Sequence, residues 1–238
     1  MLHDITDIRL RLRPGVWPIA DDLRPRIEAH WATCLAANPH LWNGRVLGTI
    51  APGEPGGIAI EGDVLTGEAV EGDFAGFIAW RDWGFPEIGI RNLFGSALVL
   101  SSDGALILGV MGATTANAGR IYPPGGSLEP ADVDARGNVG VIASIERELR
   151  EETGLIASEA TMEGMMAAFD GPRVSIGRVF RFPLPADRLV AAIMAELDRQ
   201  EERELERVIA FRTAAELDRP EVTAYSRAFA ARLLPERA

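Results

Sequence analysis

The most informative segment of this chain is Arg147-Glu148-Leu149-Arg150-Glu151-Glu152-Thr153-Gly154-Leu155. Residues three and four apart share a helix face, so Glu148, Glu151 and Glu152 are predicted to form a carboxylate cluster. Such a cluster repels itself unless a cation lies near it, and Mg²⁺ prefers oxygen ligands and also binds substrate phosphates. Arg147 can orient Glu151, four residues later, through a charge-assisted hydrogen bond. The alternative interpretation is a solvated, salt-bridged helix surface.

A glycine-rich loop precedes the acidic helix: Pro123-Pro124-Gly125-Gly126-Ser127-Leu128-Glu129. Glycines let a backbone approach a ligand closely, and Gly154 is a typical helix stop. Together they predict a loop, a helix and a second loop. This arrangement resembles the Nudix box, in which a glycine, five residues, a glutamate and seven residues precede Arg-Glu-hydrophobic-x-Glu-Glu-x-Gly-hydrophobic. The second half of that pattern matches at every fixed position from Arg147 to Leu155.

The first half of the pattern departs from the family. Five residues after Gly126 the chain has Asp132 instead of glutamate, and fourteen residues separate Asp132 from Arg147 where the family has seven. The segment 131–138 therefore resembles an inserted loop before the helix. Either Asp132 or Asp134 replaces the missing glutamate, or its role is dropped.

The resemblance implies an enzyme, a Nudix diphosphohydrolase (a pyrophosphatase) that uses Mg²⁺ or Mn²⁺. It implies that Glu148, Glu151 and Glu152 are the metal ligands. The backbone of Gly125 and Gly126 would shape the pocket for metal and phosphate, and thereby bind substrate.

The resemblance also suggests the remaining site residues. Catalytic roles fall to Glu151 and Glu204, with Arg147 organising the carboxylates. Apart from the resemblance, Arg120 precedes the glycine loop, where it is predicted either to bind a substrate phosphate or to be merely exposed at a strand end. The general base stays open, because Glu201, Glu202 and Asp170 are alternatives to Glu204. Each has a structural explanation too, since the glutamates suit a solvated helix end and Asp170 suits a turn.

The diphosphate chemistry says little about the groups on either side of the diphosphate. Residues 27–31 and 38–44 look similar to the N-terminal region of the Nudix branch that cleaves UDP-sugars. The leading expectation is therefore a nucleotide sugar such as UDP-glucose. The alternatives are ADP-ribose, NADH, a dinucleoside polyphosphate or a CoA derivative. An alternative of another class is a non-catalytic, nucleotide-binding regulatory domain.

The resemblance implies an α/β protein with the Nudix fold, an α/β/α sandwich around a mixed β-sheet, over residues 92–238. Residues 1–91 are predicted to form an N-terminal α+β extension. Apolar periodicity and turn residues predict the individual elements. The predicted helices include 21–35, 74–83, 186–202 and 220–234, and the predicted strands include 46–50, 58–60, 64–69, 97–100, 105–110, 160–169, 173–183 and 205–212.

Composition narrows the class of protein further. The net charge of −11 argues against binding to a nucleic-acid backbone. Every fixed basic side chain is arginine, so lysine chemistry is excluded. The single cysteine, Cys34, predicts neither an intramolecular disulfide nor a thiolate metal site, and the histidines show no metal-ligand spacing. No signal peptide or membrane-length segment is visible. We therefore expect a cytoplasmic enzyme with a small-molecule substrate, no membrane partner, and a possible homodimer.

Overall fold

A computed structural model of the chain describes residues 1–236, so the last two residues of the predicted second domain lie outside the described part. The strands are β1 (Leu2–Ile5), β2 (Asp7–Val16), β3 (Arg45–Ile50), β4 (Ala59–Glu61), β5 (Val64–Asp73), β6 (Ile90–Leu100), β7 (Leu106–Met111), β8 (Ile121–Tyr122), β9 (Thr161–Asp170), β10 (Arg173–Arg181) and β11 (Leu205–Phe211). The α-helices are α1 (Arg24–Ala37), α2 (Phe74–Asp82), α3 (Val141–Thr153), α4 (Ala186–Leu197) and α5 (Ala224–Leu233).

Contacts divide the chain into two compact units. The first contains Met1–Thr6, Phe94–Gly126 and the described chain from Val141 onward. The second contains Asp7–Leu93 and Ser127–Gly140. The domain division between residues 91 and 92 stays a prediction.

The first unit is built on a mixed sheet. Its strands follow the order β1-β9-β10-β6-β7-β11, with β8 also paired to β7. The pairs β1–β9, β9–β10, β6–β7 and β7–β11 are antiparallel. Ser96 hydrogen-bonds Ser175 at 2.8 Å, and Leu98 lies against Gly177 two residues further along both strands. This equal advance means that β6 and β10 run in the same direction.

Helices cover both faces of this sheet. Phe94 of β6 packs edge-on against Tyr225 of α5, with ring centroids 5.1 Å apart. The next residue, Gly95, faces α3, because a Cβ atom on it would lie 2.4 Å from the Ile145 side chain. Successive residues of a strand point to opposite faces. The predicted α/β/α sandwich is therefore confirmed.

The acidic helix α3 forms because it has an apolar stripe. Val141, Ile145 and Leu149 recur every four residues and are all buried. Gly154 ends the helix with φ +72°, a conformation that glycine adopts without strain, and its N–H donates to the carbonyl of Arg150 at 2.8 Å. The helix therefore presents its glutamates on the faces that the apolar stripe does not use.

The second unit has its own sheet and core. Strand β2 runs parallel to β5, while β3 and β4 pair with β5 antiparallel. Trp17 and Trp80 meet edge-on in the core, with centroids 5.6 Å apart. The inserted segment contributes a short 3-10 turn, Pro130–Asp132. Asp134 then closes the following turn by accepting hydrogen bonds from the backbone N–H groups of Arg136 and Asn138.

Two predicted helices have different limits in the structure. Helix α4 ends at Leu197, so residues 198–202 belong to the loop before β11. Helix α5 begins after Thr223, whose hydroxyl caps the helix by accepting from the N–H of Ser226. Pro220 therefore lies before the helix. Within residues 1–236, no helix combines the length and apolar character needed to span a bilayer.

Candidate metal centre

An acidic cavity of about 370 Å³ lies in the first unit. None of its seven lining residues carries a positive charge. Three come from α3 and four from the loop between α4 and β11: Glu148, Glu151, Glu152, Gln200, Glu201, Glu202 and Glu204. Six carboxylates around one cavity repel one another, and a cation bound among them would relieve that repulsion.

Glu152 is the buried member of this group, with 4% of its surface exposed. Its Oε1 accepts a hydrogen bond from the backbone N–H of Gly125 at 3.2 Å. Its Oε2 is buried without a hydrogen-bond partner. Burial raises the pKa of Glu152 well above its ordinary value, and the charges of Glu148 and Glu204 raise it further. Gly125 opposes these effects without overcoming them. This orphaned oxygen suits a metal ligand.

The glycine loop is pressed against the acidic helix and the sheet. A Cβ atom on Gly126 would lie only 2.7–2.9 Å from the carboxylate atoms of Glu148. A Cβ atom on Gly125 would lie 2.1 Å from the carbonyl oxygen of Gly95, and Gly125 has φ +159°. Position 125 therefore needs glycine, because the backbone of Gly95 is fixed, whereas a Cβ atom at position 126 would displace only the flexible side chain of Glu148.

Arg147 bridges two of the candidate ligands. Its Nη1 lies 2.8 Å from Oε1 of Glu148 and 3.2 Å from Oε2 of Glu151. Its Nη2 donates to the hydroxyl of Ser144 at 3.3 Å. Because Glu151 is half exposed, its ion pair with Arg147 contributes little to stability. Arg147 instead orients the carboxylates of Glu148 and Glu151, because it holds both of them in fixed positions on one face of the helix.

The loop before β11 is attached on two sides. The side-chain amide of Gln200 donates to the backbone carbonyl of Glu151 at 2.8 Å. The backbone carbonyl of Glu204 accepts from the N–H of Gly112 at 2.7 Å. Glu204 is exposed, yet close enough to Glu152 to raise its pKa. The structure thus brings Glu204, Glu201 and Glu202 to the same cavity as the α3 glutamates.

Other residues singled out in the sequence do not line this cavity. Arg120 is exposed and donates from Nη1 to the carbonyl of Pro220 at 2.9 Å. Asp170 forms an ion pair with Arg173 at 2.6 Å. Asp132 accepts from the backbone N–H of Glu129, so it stabilises its own loop, as Asp134 does. The sequence carried no signal for the role of Gln200, because a polar side chain before a glutamate run is ordinary.

No family model matches this chain, and no curated protein matches it. Solved structures do resemble it. A MutT protein from Methanosarcina mazei Go1 is 20% identical, over 60% of this chain and 92% of that one, with a TM-score of 0.40. A MutT Nudix hydrolase from Burkholderia pseudomallei is 20% identical, over 60% and 97%, with a TM-score of 0.36. A Nudix hydrolase from Nitrosomonas europaea is 18% identical, over 61% and 93%, with a TM-score of 0.35.

Proposed function

We propose that this chain is a metal-dependent diphosphohydrolase of the Nudix type, which cleaves the diphosphate of a nucleoside diphosphate derivative. The observation that carries the proposal is the state of Glu152. A buried carboxylate with one orphaned oxygen, next to Glu148 and Glu204, is unfavourable as an anion unless a cation binds it. The matching spacing of the box from Arg147 to Leu155 supports the same conclusion.

The donor set fits a hard divalent ion such as Mg²⁺ or Mn²⁺, because the cavity offers carboxylate oxygens and neither sulfur nor imidazole. Glu148, Glu151 and Glu152 would hold it. When bound, such an ion neutralises charge on the diphosphate and makes water a better nucleophile.

The protein's own residues would divide the remaining work. Glu204 is exposed at the cavity and attached through its backbone, which suits a group that takes a proton from water. Glu151 lines the same cavity and is an alternative to Glu204 in this role. Arg147 holds Glu148 and Glu151 in position. Gly125 and Gly126 let the loop backbone lie against β6 and against the Glu148 carboxylate, and this backbone would shape the pocket for metal and phosphate.

For the substrate we propose a nucleotide sugar such as UDP-glucose. The likeness of residues 27–31 and 38–44 to the UDP-sugar branch supports this choice. Binding of a substrate phosphate by Arg120 stays a prediction, because its exposed guanidinium lies outside the cavity lining and donates to the carbonyl of Pro220. In the proposed reaction, water attacks one phosphorus of the diphosphate, and UDP-glucose yields UMP and glucose 1-phosphate.

A substrate panel tests this proposal. Chelator-treated protein is incubated with Mg²⁺ and each of UDP-glucose, ADP-ribose, NADH, a dinucleoside polyphosphate and CoA, and the products are separated by anion-exchange chromatography. We expect the fastest turnover with UDP-glucose and none with Glu152→Gln. A faster reaction with another compound would contradict the substrate but keep the chemistry. Binding of nucleotide without any product would favour a non-catalytic, regulatory role.

A further inference from the structure

A second group of potential metal ligands lies in the second unit. Its residues are distant along the chain from the carboxylates of the acidic cavity. His30 and Cys34 are four residues apart on α1, so they share a face of that helix. Asp82 is the last residue of α2. The ligand atoms of these three residues all lie within 4.8 Å of one another. The sequence predicted no such site, because its third member comes from another helix.

The distances are those of a preformed cluster. His30 Nε2 lies 2.9 Å from Oδ2 of Asp82 and 3.5 Å from Sγ of Cys34. The Nε2 atom of His30 therefore contacts both the sulfur of Cys34 and the carboxylate of Asp82. Small side chains let α1 and α2 pack closely, since the buried Ala75 and Ala79 of α2 pack in one cluster with Ile27 of α1. The packing of the two helices thus positions the three side chains.

The neighbouring charges orient the aspartate. Arg81 Nε donates to Oδ1 of Asp82 at 2.8 Å, which leaves Oδ2 directed toward His30. These hydrogen bonds outweigh the effect of burial, so the pKa of Asp82 is lowered and the carboxylate is charged at neutral pH. His30 and Asp82 are 26% and 33% exposed, so an ion can reach them from solvent.

We propose that His30, Cys34 and Asp82 form a site for Zn²⁺ or a similar borderline divalent ion. One nitrogen, one sulfur and one oxygen donor suit Zn²⁺, whereas Mg²⁺ does not favour sulfur. Three protein ligands leave a fourth position for water. On binding, Cys34 loses its proton to solvent, and His30 coordinates as a neutral imidazole through Nε2. The ion links α1 to α2, and it is independent of the metal in the acidic cavity.

Co²⁺ is the probe that separates the two metal sites. Because Cys34 is the only cysteine, a thiolate-to-cobalt charge-transfer band reports on this site alone. Reduced, chelator-treated protein is titrated with Co²⁺ and followed by absorbance. We expect the band to reach a plateau that corresponds to one thiolate–cobalt centre per chain, to disappear when excess Zn²⁺ is added, and to be absent in Cys34→Ser. Glu152→Gln is the matched control, and its band should equal that of the unmodified protein.

The other two ligands are tested by affinity. His30→Ala and Asp82→Asn should each weaken Co²⁺ binding by at least about tenfold, since even residues that only support a metal ligand are often worth 10–100-fold. Zn²⁺ should raise the Tm of Glu152→Gln, whose acidic cavity lacks its buried ligand, and leave that of the double variant Glu152→Gln, Cys34→Ser unchanged. Asp82→Asn keeps the shape of the side chain, so it carries the test even if His30→Ala unfolds. The absence of a thiolate band at saturating Co²⁺, or an unchanged affinity in Asp82→Asn, would overturn the proposal.

Discussion

Glu152 and Gly125 are joined by a hydrogen bond that satisfies only half of a buried carboxylate. The N–H of Gly125 lies 3.2 Å from Oε1, while Oε2 has no partner. Glu148 and Glu204 add negative charge nearby. The remaining oxygen can be stabilised by a proton or by a cation. A proton and a metal ion therefore compete for Oε2 of Glu152. Because of this competition, the stability of the fold depends on both the pH and the metal concentration.

Replacing Glu152 by Gln should raise the stability of the metal-free protein at pH 8. The pKa of Glu152 is raised in the folded state, so the folded protein holds the proton more tightly than the unfolded chain does. Stability is therefore lost as the pH rises above the ordinary value of 4.5 toward the folded value. Glutamine has no proton to lose, so Glu152→Gln does not show this loss. The Tm values of the variant and of the unmodified protein should therefore converge near pH 4. Thermal melting in EDTA measures the difference.

The same variant should lose turnover by about a hundredfold to a thousandfold, which is the typical scale for the loss of a group that stabilises the transition state. Mg²⁺ should raise the Tm of the unmodified protein and have little effect on Glu152→Gln. If the unmodified protein were the more stable of the two at pH 8 in EDTA, Glu152 would have another partner in solution.

Gly126→Ala should weaken Mg²⁺ binding by the enzyme while leaving the fold intact. The new Cβ atom would meet the carboxylate of Glu148, which is the end of a flexible side chain and can move aside. A forced rotamer costs about 0.5–1.5 kcal/mol, so we expect roughly threefold to tenfold more Mg²⁺ for half-maximal activity. Gly125→Ala is the contrasting variant, because its Cβ atom would meet the fixed backbone of Gly95. It should lower the Tm instead. Equal Mg²⁺ requirements in Gly126→Ala and the unmodified protein would argue against Glu148 as a ligand.

Glu204→Gln should reduce kcat by about 10²–10⁴-fold, which is the range for the loss of a general base. The KM for substrate and the apparent Kd for Mg²⁺ should change little, because a base acts mainly in the transition state. Glu201→Gln and Glu202→Gln are matched controls, since both residues line the same cavity and are exposed. A large loss of kcat in one of the controls, with Glu204→Gln active, would move the base to that residue.

Asp103→Asn should make the protein less stable at pH 7 but not in acid. Asp103 accepts hydrogen bonds from the hydroxyl of Ser101, from Arg212 and from the N–H of Ala186, and these hold its pKa well below the ordinary value of 3.8. Its contribution is present above that value and is lost as the pH falls toward the folded value. The difference in Tm should therefore shrink below pH 4. A constant difference between pH 7 and pH 2 would contradict this origin.

The sequence predicted the parts of the site that depend on spacing along the chain. The carboxylate cluster of α3 follows from the three- and four-residue intervals between Glu148, Glu151 and Glu152. The place of Glu204 beside Glu152 depends on how the α4–β11 loop is attached, through Gln200 and Gly112, and local patterns do not contain that information.

Contacts between distant parts of the chain also limited what could be predicted of the fold. Strand β1 was not anticipated, because its partner β9 lies far along the chain, as the pair Leu2 and Ala168 shows. The cluster of His30, Cys34 and Asp82 was missed for a similar reason, since two helices have to pack before its third ligand arrives.

The metal dependence of diphosphate cleavage shows whether a divalent ion held by Glu152 is needed for the reaction. Chelator-treated protein is mixed with UDP-glucose, and ³¹P NMR spectra are recorded before and after Mg²⁺ is added, in parallel with Glu152→Gln. We predict no change before the addition, then loss of the two diphosphate signals as two monophosphate signals grow, and no change at any stage with Glu152→Gln. If cleavage in excess EDTA, or by Glu152→Gln with Mg²⁺, were as fast as cleavage by the unmodified protein with Mg²⁺, the reaction would not need a metal ion bound by Glu152.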